Sequence, residues 1–398
     1  MRVLVVIDSL RVGGAENLLV HLAGPARQAG LDVDVVSLGP PDGPQASLAG
    51  ALSRAGLPPR FLGARRLADP AAAYRLAVEV RRSGCDVVHA HLEHASVLAP
   101  VAGRLAGRPV VCTFHQLAGG LTGSEAVKER LAVACAGTAR ATVFVSEACR
   151  RSFAQRYRPR ANWTVLPNGV DLGAFADPAP RPLPAGLGVP ARARVVTVVA
   201  ALRPPKGHRV LLEAWPAVRR RAPDAHLLVV GDGDAGPALR RQAGELGLRD
   251  AVTFAGARDD VPALLAGSDL VVLPTFTEAL PTVLAEAGAA GRAVVASAVG
   301  GVPEVVLDGV TGVLVPPGDP VALAAAVSDL LTDPARAAAM GAAARRRVQE
   351  RFGTGTWLAG LLQLYQEAAG HRPADAGGPP SQDASTRSRS HGSPASRS

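Results

Sequence analysis

PNGVDLGAFADPAPRPLPAGLGVPARA, residues 167–193, interrupts an otherwise regular chain. It is crowded with proline and carries no sustained apolar period, so it reads as a linker or interdomain loop. On its amino-terminal side, short apolar runs fall at VLVVI (3–7), VDVVS (33–37), DVVHA (86–90), PVVCT (109–113) and ATVFV (141–145), with helix-length amphipathic segments between them. Beyond it the alternation restarts with RVVTVVA (194–200), HLLVVG (226–231), VTFAG (252–256), LVVLP (270–274), AVVAS (293–297) and TGVLV (311–315). Strands alternating with helices are the mark of βαβ units and parallel sheets. Two doubly wound α/β domains follow, and such sheets take ligands at the carboxyl ends of their strands.

Length and composition agree with this division. The chain has 398 residues, too many for one ordinary core, and 48% of them are hydrophobic, which excludes a disordered or fibrous protein. Lys and Arg number 43 against 34 Asp and Glu, a formal charge of +9 that suits nucleic acid, an anionic membrane surface or a phosphorylated substrate without choosing among them. Cys85, Cys112, Cys135 and Cys149 are widely spaced and form no CxxC pair, so they read as small buried hydrophobes in a reducing compartment. Met1 leads directly into RVLVVID, a first strand rather than a signal peptide. No apolar run reaches the length of a membrane span, and a cytoplasmic protein is expected.

Helices rich in Ala and Arg are expected from about Val321 to Arg351, and a last helix at about 355–370 carries Trp357, Leu361, Leu364 and Tyr365 at helical spacing. Residues 371–398 are of low complexity with almost nothing to bury, and read as a disordered tail.

Several elements carry chemistry. In VVIDSLRVGGAENLLVHLA, Gly13 and Gly14 open a helix after a strand and would let backbone N–H groups approach an anion, although the pattern is not GxGxxG. In ALRPPKGH, Arg203 and Lys206 stand at the carboxyl end of a strand, where a guanidinium and an ammonium suit a diphosphate. In PTFTEALPTVLAEAGAAG (274–291), Glu278 sits in a strand-to-helix loop and Glu286 lies more than one turn into the helix. Backbone amides near Ala279, Leu280, Pro281 and Thr282 face the same end of the sheet, so the two carboxylates can accept from separate sets of sugar hydroxyls with a phosphate between them. SAVGGVPEVV repeats a glycine turn, with Gly300, Gly301 and Glu304 opening a further helix. His115, in VVCTFHQ, reads either as a residue pointing into the same cleft or as a polar loop histidine, whereas His89, His91 and His94 read as cleft lining or satisfied burial. The DxD pairs Asp32/Asp34 and Asp232/Asp234 lack a third ligand nearby and fall short of a metal site. The stretch SEACRRSFAQRYRPR (146–160) combines arginines with Phe153 and Tyr157; it serves either as a surface for anionic lipid or as a solvated face of an Arg-rich protein.

Taken in order, GGAEN, TFHQ, VSEACR, PNGVD, LRPPKGH, the Glu278/Glu286 pair and GGVPEVVLDGVTGVLVPPGD resemble glycosyltransferase family 4, from about Met1 to Tyr365. The resemblance implies a GT-B fold: two Rossmann-like domains facing across a cleft, residues 1–170 on the acceptor side and 194–354 binding the nucleotide sugar. Residues 171–193 would be the linker, and the helix at about 355–370 would pack back on the first domain. It implies retaining transfer of a hexose from a nucleotide-diphosphate sugar to a glycan, lipid-linked or small-molecule acceptor, as in polysaccharide or glycolipid synthesis. No cofactor, obligatory metal or nucleic acid is expected, and peripheral contact with the inner face of an anionic membrane is compatible with it. Glu278 would hold the donor hexose, Glu286 the ribose, Arg203 and Lys206 the diphosphate, with Gly13 and Gly14 approaching it from the facing domain; His115 would contact the transferred sugar. The chain departs from the pattern at Ala201, where members often carry Arg, and at Ala279, where they often carry Gly. Alternative readings are a sugar-nucleotide epimerase or phosphorylase on the same fold, which would convert donor without acceptor, and a binding protein without turnover.

Overall fold

The computed structural model describes residues 1–11, 13–64, 69–120, 122–176 and 182–370. The expected tail at 371–398 and part of the linker therefore lie outside the described residues. Strands are β1 (Arg2–Ile7), β2 (Asp32–Ser37), β3 (Arg60–Phe61), β4 (Val87–His91), β5 (Val110–Phe114), β6 (Ala141–Phe144) and β7 (Trp163–Val165) in one sheet. A second sheet holds β8 (Arg194–Val199), β9 (Ala225–Val230), β10 (Val252–Gly256), β11 (Leu270–Leu273), β12 (Ala293–Ser297) and β13 (Gly312–Val315). Their orders are β3-β2-β1-β4-β5-β6-β7 and β10-β9-β8-β11-β12-β13, and the pairings are parallel throughout. Central strands such as β4, β5, β9 and β12 are buried along their whole length, as expected when helices cover both faces.

The strand order reverses beside β1 and β4 in the first sheet and beside β8 and β11 in the second. Loops leaving those strand ends diverge to opposite faces and open a crevice there. The structure adds two strands to the sequence reading, β3 and β7. They are only two and three residues long, too short to show a period of their own.

Two chain crossings join the domains side by side. Val170 donates its N–H to the Phe352 carbonyl at 2.7 Å, and Thr354 N–H reaches the Val170 carbonyl at 3.0 Å. Helix Thr354–Ala368 then runs along the first domain and buries Trp357, Leu358, Leu361 and Tyr365 against Val3, Val5, Ile7, Leu18 and Leu22. Burying each such side chain contributes about 1.5–3 kcal/mol. Four together rival a typical domain's entire stability margin of about 5–15 kcal/mol, so this helix is part of the first domain's core.

Candidate active site

The candidate donor half-site is built by two loops of the second domain that bind each other. The loop after β8 ends in a short 3-10 turn, Pro204–Lys206, followed by Gly207 in the left-handed region (φ +71°), where a Cβ would collide with the Pro274 carbonyl. Only glycine admits that approach. From the other side, Phe276 N–H donates to the Pro205 carbonyl at 2.8 Å and the Thr275 hydroxyl to the same oxygen at 3.0 Å. The consequence is an ion pair between Lys206 Nζ and Glu278 Oε1, with the carboxylate side chain only 13% exposed. Helix Thr282–Ala289 begins one step further on. Pro281 is its N-cap residue, and no side chain caps that end.

Glu286 lies on this helix, half-buried, with no ion-pair partner among the described residues. Burial alone pushes its carboxyl up from 4.5 to about 7. A half-buried, unpaired carboxylate is poised to accept hydrogen bonds from hydroxyl groups. Ala279, by contrast, is an ordinary core residue: it is 6% exposed and packs in the same cluster as Leu280, Leu284 and Ala285. Its φ is not positive, so the alanine imposes no backbone strain here.

The loop after β12 supports the Glu278 loop from below. Gly301 N–H donates to the Glu278 carbonyl at 3.0 Å, and Gly300, at φ +49°, leaves no space for a Cβ beside that same carbonyl.

The facing half-site comes from β1, β4 and β5. Asp8, directly after β1, accepts from His94 N–H at 3.0 Å and Ala95 N–H at 2.6 Å and so caps helix Glu93–Ala106. Burial raises its carboxyl from 3.8 to about 7, despite those two bonds. Gly13 is the N-cap of helix Gly14–Gln28, and the Glu16 side chain folds against it so closely that a Cβ on Gly13 would strike Oε2. This helix end thus already faces a buried carboxyl, which a diphosphate would have to displace. His91 and His115 stand side by side, with Nδ1 of the first 2.9 Å from Nε2 of the second, so one carries the proton that the other accepts. Nδ1 of His115 is buried without a hydrogen-bond partner, and burial holds this imidazole down to about 4, hence neutral at pH 7. Behind them His89 bonds Thr113 Oγ1 and Tyr365 Oη, both at 2.7 Å.

The structure thus brings Lys206, Glu278, Ala279, Leu280, Pro281, Thr282 and Glu286 together at one switch point, and Gly13, Gly14 and His115 at the other. Arg203 is the N-cap of the turn that carries Lys206, and it also lines a cavity of about 480 Å³ with Pro204, His208, Arg241 and Gln242, between the two helices that follow β8 and β9. The DxD aspartates serve other contacts: Asp32 pairs with Arg2 and Asp34 with Arg60, while Asp232 accepts from Gly233 N–H. No group of three or more His, Cys, Asp or Glu that could hold a metal ion occurs among the described residues. In the 146–160 stretch Phe153 packs in the core against Phe114 and Phe144, and the Tyr157 hydroxyl donates to Glu129 at 2.6 Å. Phe153 therefore turns inward, whereas Tyr157 stays partly exposed beside Arg158 and Arg160. Sequence reasoning missed Asp8, the pairing of His91 with His115, and the bond of Ser146. The first follows a strand end without any motif, and the other two rest on partners distant in sequence.

Comparison with known proteins agrees with this geometry. Residues 12–174 match the family described as Glycosyltransferase Family 4, and residues 193–333 match Glycosyl transferases group 1. The GDP-mannose-dependent alpha-(1-6)-phosphatidylinositol monomannoside mannosyltransferase of Mycolicibacterium smegmatis is 37% identical over 298 residues, 70% of this chain and 75% of that protein. The phosphatidyl-myo-inositol mannosyltransferase of the same organism is 31% identical over 373 residues, 90% of this chain and 91% of that protein. Among solved structures, Anabaena Alr3699/HepE in complex with UDP and glucose superposes with a TM-score of 0.78 at 26% identity, covering 91% of this chain and 98% of that one. The chain belongs to glycosyltransferase family 4 and has the GT-B fold of two Rossmann-like domains.

Proposed function

We propose that this enzyme transfers mannose from GDP-mannose to an inositol-containing lipid acceptor, with retention at the anomeric carbon and without an obligatory metal ion. The observation that carries the reading is the Lys206–Glu278 pair at the β8/β11 switch point, with the unpaired Glu286 on the helix that follows. The choice of donor and acceptor is supported by the mannosyltransferase relatives, one of which is matched along nearly its whole length.

In this reading an arriving diphosphate takes Lys206 and the uncapped amino terminus of helix Thr282–Ala289. Glu278 is then released to accept from hexose hydroxyls while Glu286 accepts from the ribose. Negative charge develops on the leaving phosphate as the bond from C1 to oxygen breaks, and a fixed ammonium with helix amides stabilises it. The acceptor hydroxyl oxygen bonds C1 from the face that the phosphate leaves, and its proton passes to a phosphate oxygen. In this reading the neutral His115 contacts the transferred sugar. Arg203, at the start of the turn that carries Lys206, shares the diphosphate with it in this scheme.

No helix among the described residues is long and apolar enough to cross a membrane. We place the protein in the cytoplasm, meeting a lipid acceptor peripherally through basic surface. Thermal shift with GDP-mannose, UDP-glucose and the free nucleotides, followed by product analysis with phosphatidylinositol vesicles, tests the proposal. Stabilisation by GDP-mannose and a mannosylated lipid product are expected. Donor conversion without acceptor would favour an epimerase or phosphorylase, and binding without turnover a binding protein.

A further inference from the structure

Bonds cross the floor of the cleft at two points. Ser146, fully buried, caps helix Glu147–Ala154 of the first domain by accepting from Cys149 N–H at 2.9 Å, and it donates its hydroxyl proton to the Ala279 carbonyl of the second domain at 2.6 Å. Glu304, of the second domain, reaches the same helix end from the opposite side. Its Oε2 accepts from Glu147 N–H at 2.9 Å and its Oε1 from Ala148 N–H at 2.7 Å. The amino-terminal amides of one helix are therefore satisfied by one residue from each domain. A carboxylate at that position also meets the favourable end of the helix dipole.

Each anchor is itself braced. Arg347 donates from Nη2 to the Glu304 carbonyl at 2.6 Å and from Nε to the Val305 carbonyl at 3.0 Å. A Cβ on Gly301 would collide with the Ala279 carbonyl and lie 3.2 Å from Ser146 Oγ, so the loops leave no slack between them. Ala279 directly follows Glu278, whose carbonyl Gly301 already holds. Both peptide oxygens flanking this donor-site loop position are thus fixed, one from within the second domain and one by the facing domain.

We propose that Ser146 and Glu304 form a two-point clamp that couples domain closure to the placement of the Glu278 side chain. Neither residue touches the reacting atoms; both are positioning residues. When the domains part, the Ala279 carbonyl loses its donor and the helix amides lose their carboxylate, so the donor-sugar half-site is ordered only in the closed arrangement. The positioning role rests on the reading of Glu278 as the donor-sugar carboxylate; the clamp itself does not.

The experiment compares full-length wild type with Ser146→Ala, Glu304→Gln, Glu304→Ala and the double alanine variant. Small-angle scattering of the unliganded proteins and donor kinetics are the readouts, with thermal midpoints to identify variants that fail to fold. Loss of one charge-assisted bond predicts a rise of about tenfold in donor KM for Glu304→Gln. A larger radius of gyration is expected for Glu304→Ala and a still larger one for the double variant, with more donor lost to water per transfer. Ser146→Thr, which keeps the hydroxyl, should recover most of the donor KM lost in Ser146→Ala. Folded variants with the radius and donor KM of wild type would overturn the clamp. Should Glu304→Ala fail to fold, Glu304→Gln and Ser146→Thr decide by the same measurements. If wild type turns over no sugar nucleotide, the functional reading and the positioning role fall, while the scattering comparison still decides whether the clamp exists.

Discussion

Lys206 Nζ and Glu278 Oε1, 72 residues apart in sequence, are directly paired across two loops, and each is the other's counter-ion. A ligand that brings its own anion and its own hydroxyl donors can separate them without leaving either unsatisfied. Lys206→Met should therefore lower both GDP affinity and turnover, the latter by about 10²–10³-fold, the typical cost of removing one fixed electrostatic donor. Glu278→Gln should leave GDP affinity unchanged and weaken only the sugar nucleotide. Isothermal titration with GDP and with GDP-mannose separates the two, and unchanged GDP binding by Lys206→Met would contradict the assignment.

Glu286 should impose a pH dependence of its own. Its carboxyl is raised from 4.5 in the unfolded chain to about 7 in the folded protein, because burial penalises the charged form. Between those values the folded state binds more protons than the unfolded one, so stability falls as pH rises and levels off above about 7. The shift bounds the effect at about 3 kcal/mol. Asp8, raised from 3.8 to about 7 by burial, contributes in the same direction over the same window. Glu286→Gln should flatten the part of the profile due to Glu286, seen as a smaller change in thermal midpoint between pH 5 and pH 8 than in wild type. Nucleotide affinity should move oppositely, rising as pH passes 7, because ribose hydroxyls donate to the ionised carboxylate. A Glu286→Gln profile as steep as that of wild type would count against this.

Much of this architecture was legible in the sequence because parallel sheets buried on both faces leave unbroken apolar runs such as HLLVV and AVVAS. Strands of two or three residues, Arg60–Phe61 and Trp163–Val165, leave none, and only pairing with a neighbouring strand creates them. The convergence of the candidate donor-side residues was legible for a related reason: Lys206, Glu278 and Glu286 sit at strand ends and on the helix that follows, which topology alone carries to one switch point. What could not be read was the use of a side chain by a distant partner. Ser146 shows in the sequence no sign of its bond to Ala279, 133 residues away. The inward rotation of Phe153 likewise depends on Phe114 and Phe144.

The last helix should prove indispensable to the first domain through one polar contact as well as its apolar face. The Tyr365 hydroxyl is fully buried and bonds His89 Nδ1, while the other nitrogen of that imidazole bonds Thr113. Tyr365→Phe keeps the ring and strips the partner from a buried imidazole, a loss of about 1–3 kcal/mol. Chemical denaturation should show the midpoint falling at constant slope, with donor KM unchanged because Tyr365 lies outside the donor half-site. A midpoint equal to that of wild type would mean that His89 finds another partner.

Ala279 settles a question that chemistry alone leaves open: whether a methyl at this loop position crowds the donor. In the structure the residue is 6% exposed and its methyl belongs to the apolar cluster under the loop, with Leu284 and Ala285 beside it. Its carbonyl, not its side chain, is what the surrounding groups hold, from Ser146. If the methyl faced the cleft, Ala279→Gly would open the approach and tighten donor binding. Since it faces the core, the substitution should instead remove a buried methyl and add backbone freedom to a loop that must stay fixed, each costing about 1 kcal/mol. Ala279→Gly is therefore expected to lower the thermal midpoint and to weaken sugar-nucleotide binding several-fold. Titration of both proteins with the sugar nucleotide decides between the two, and tighter binding by Ala279→Gly would place the methyl in the donor's path.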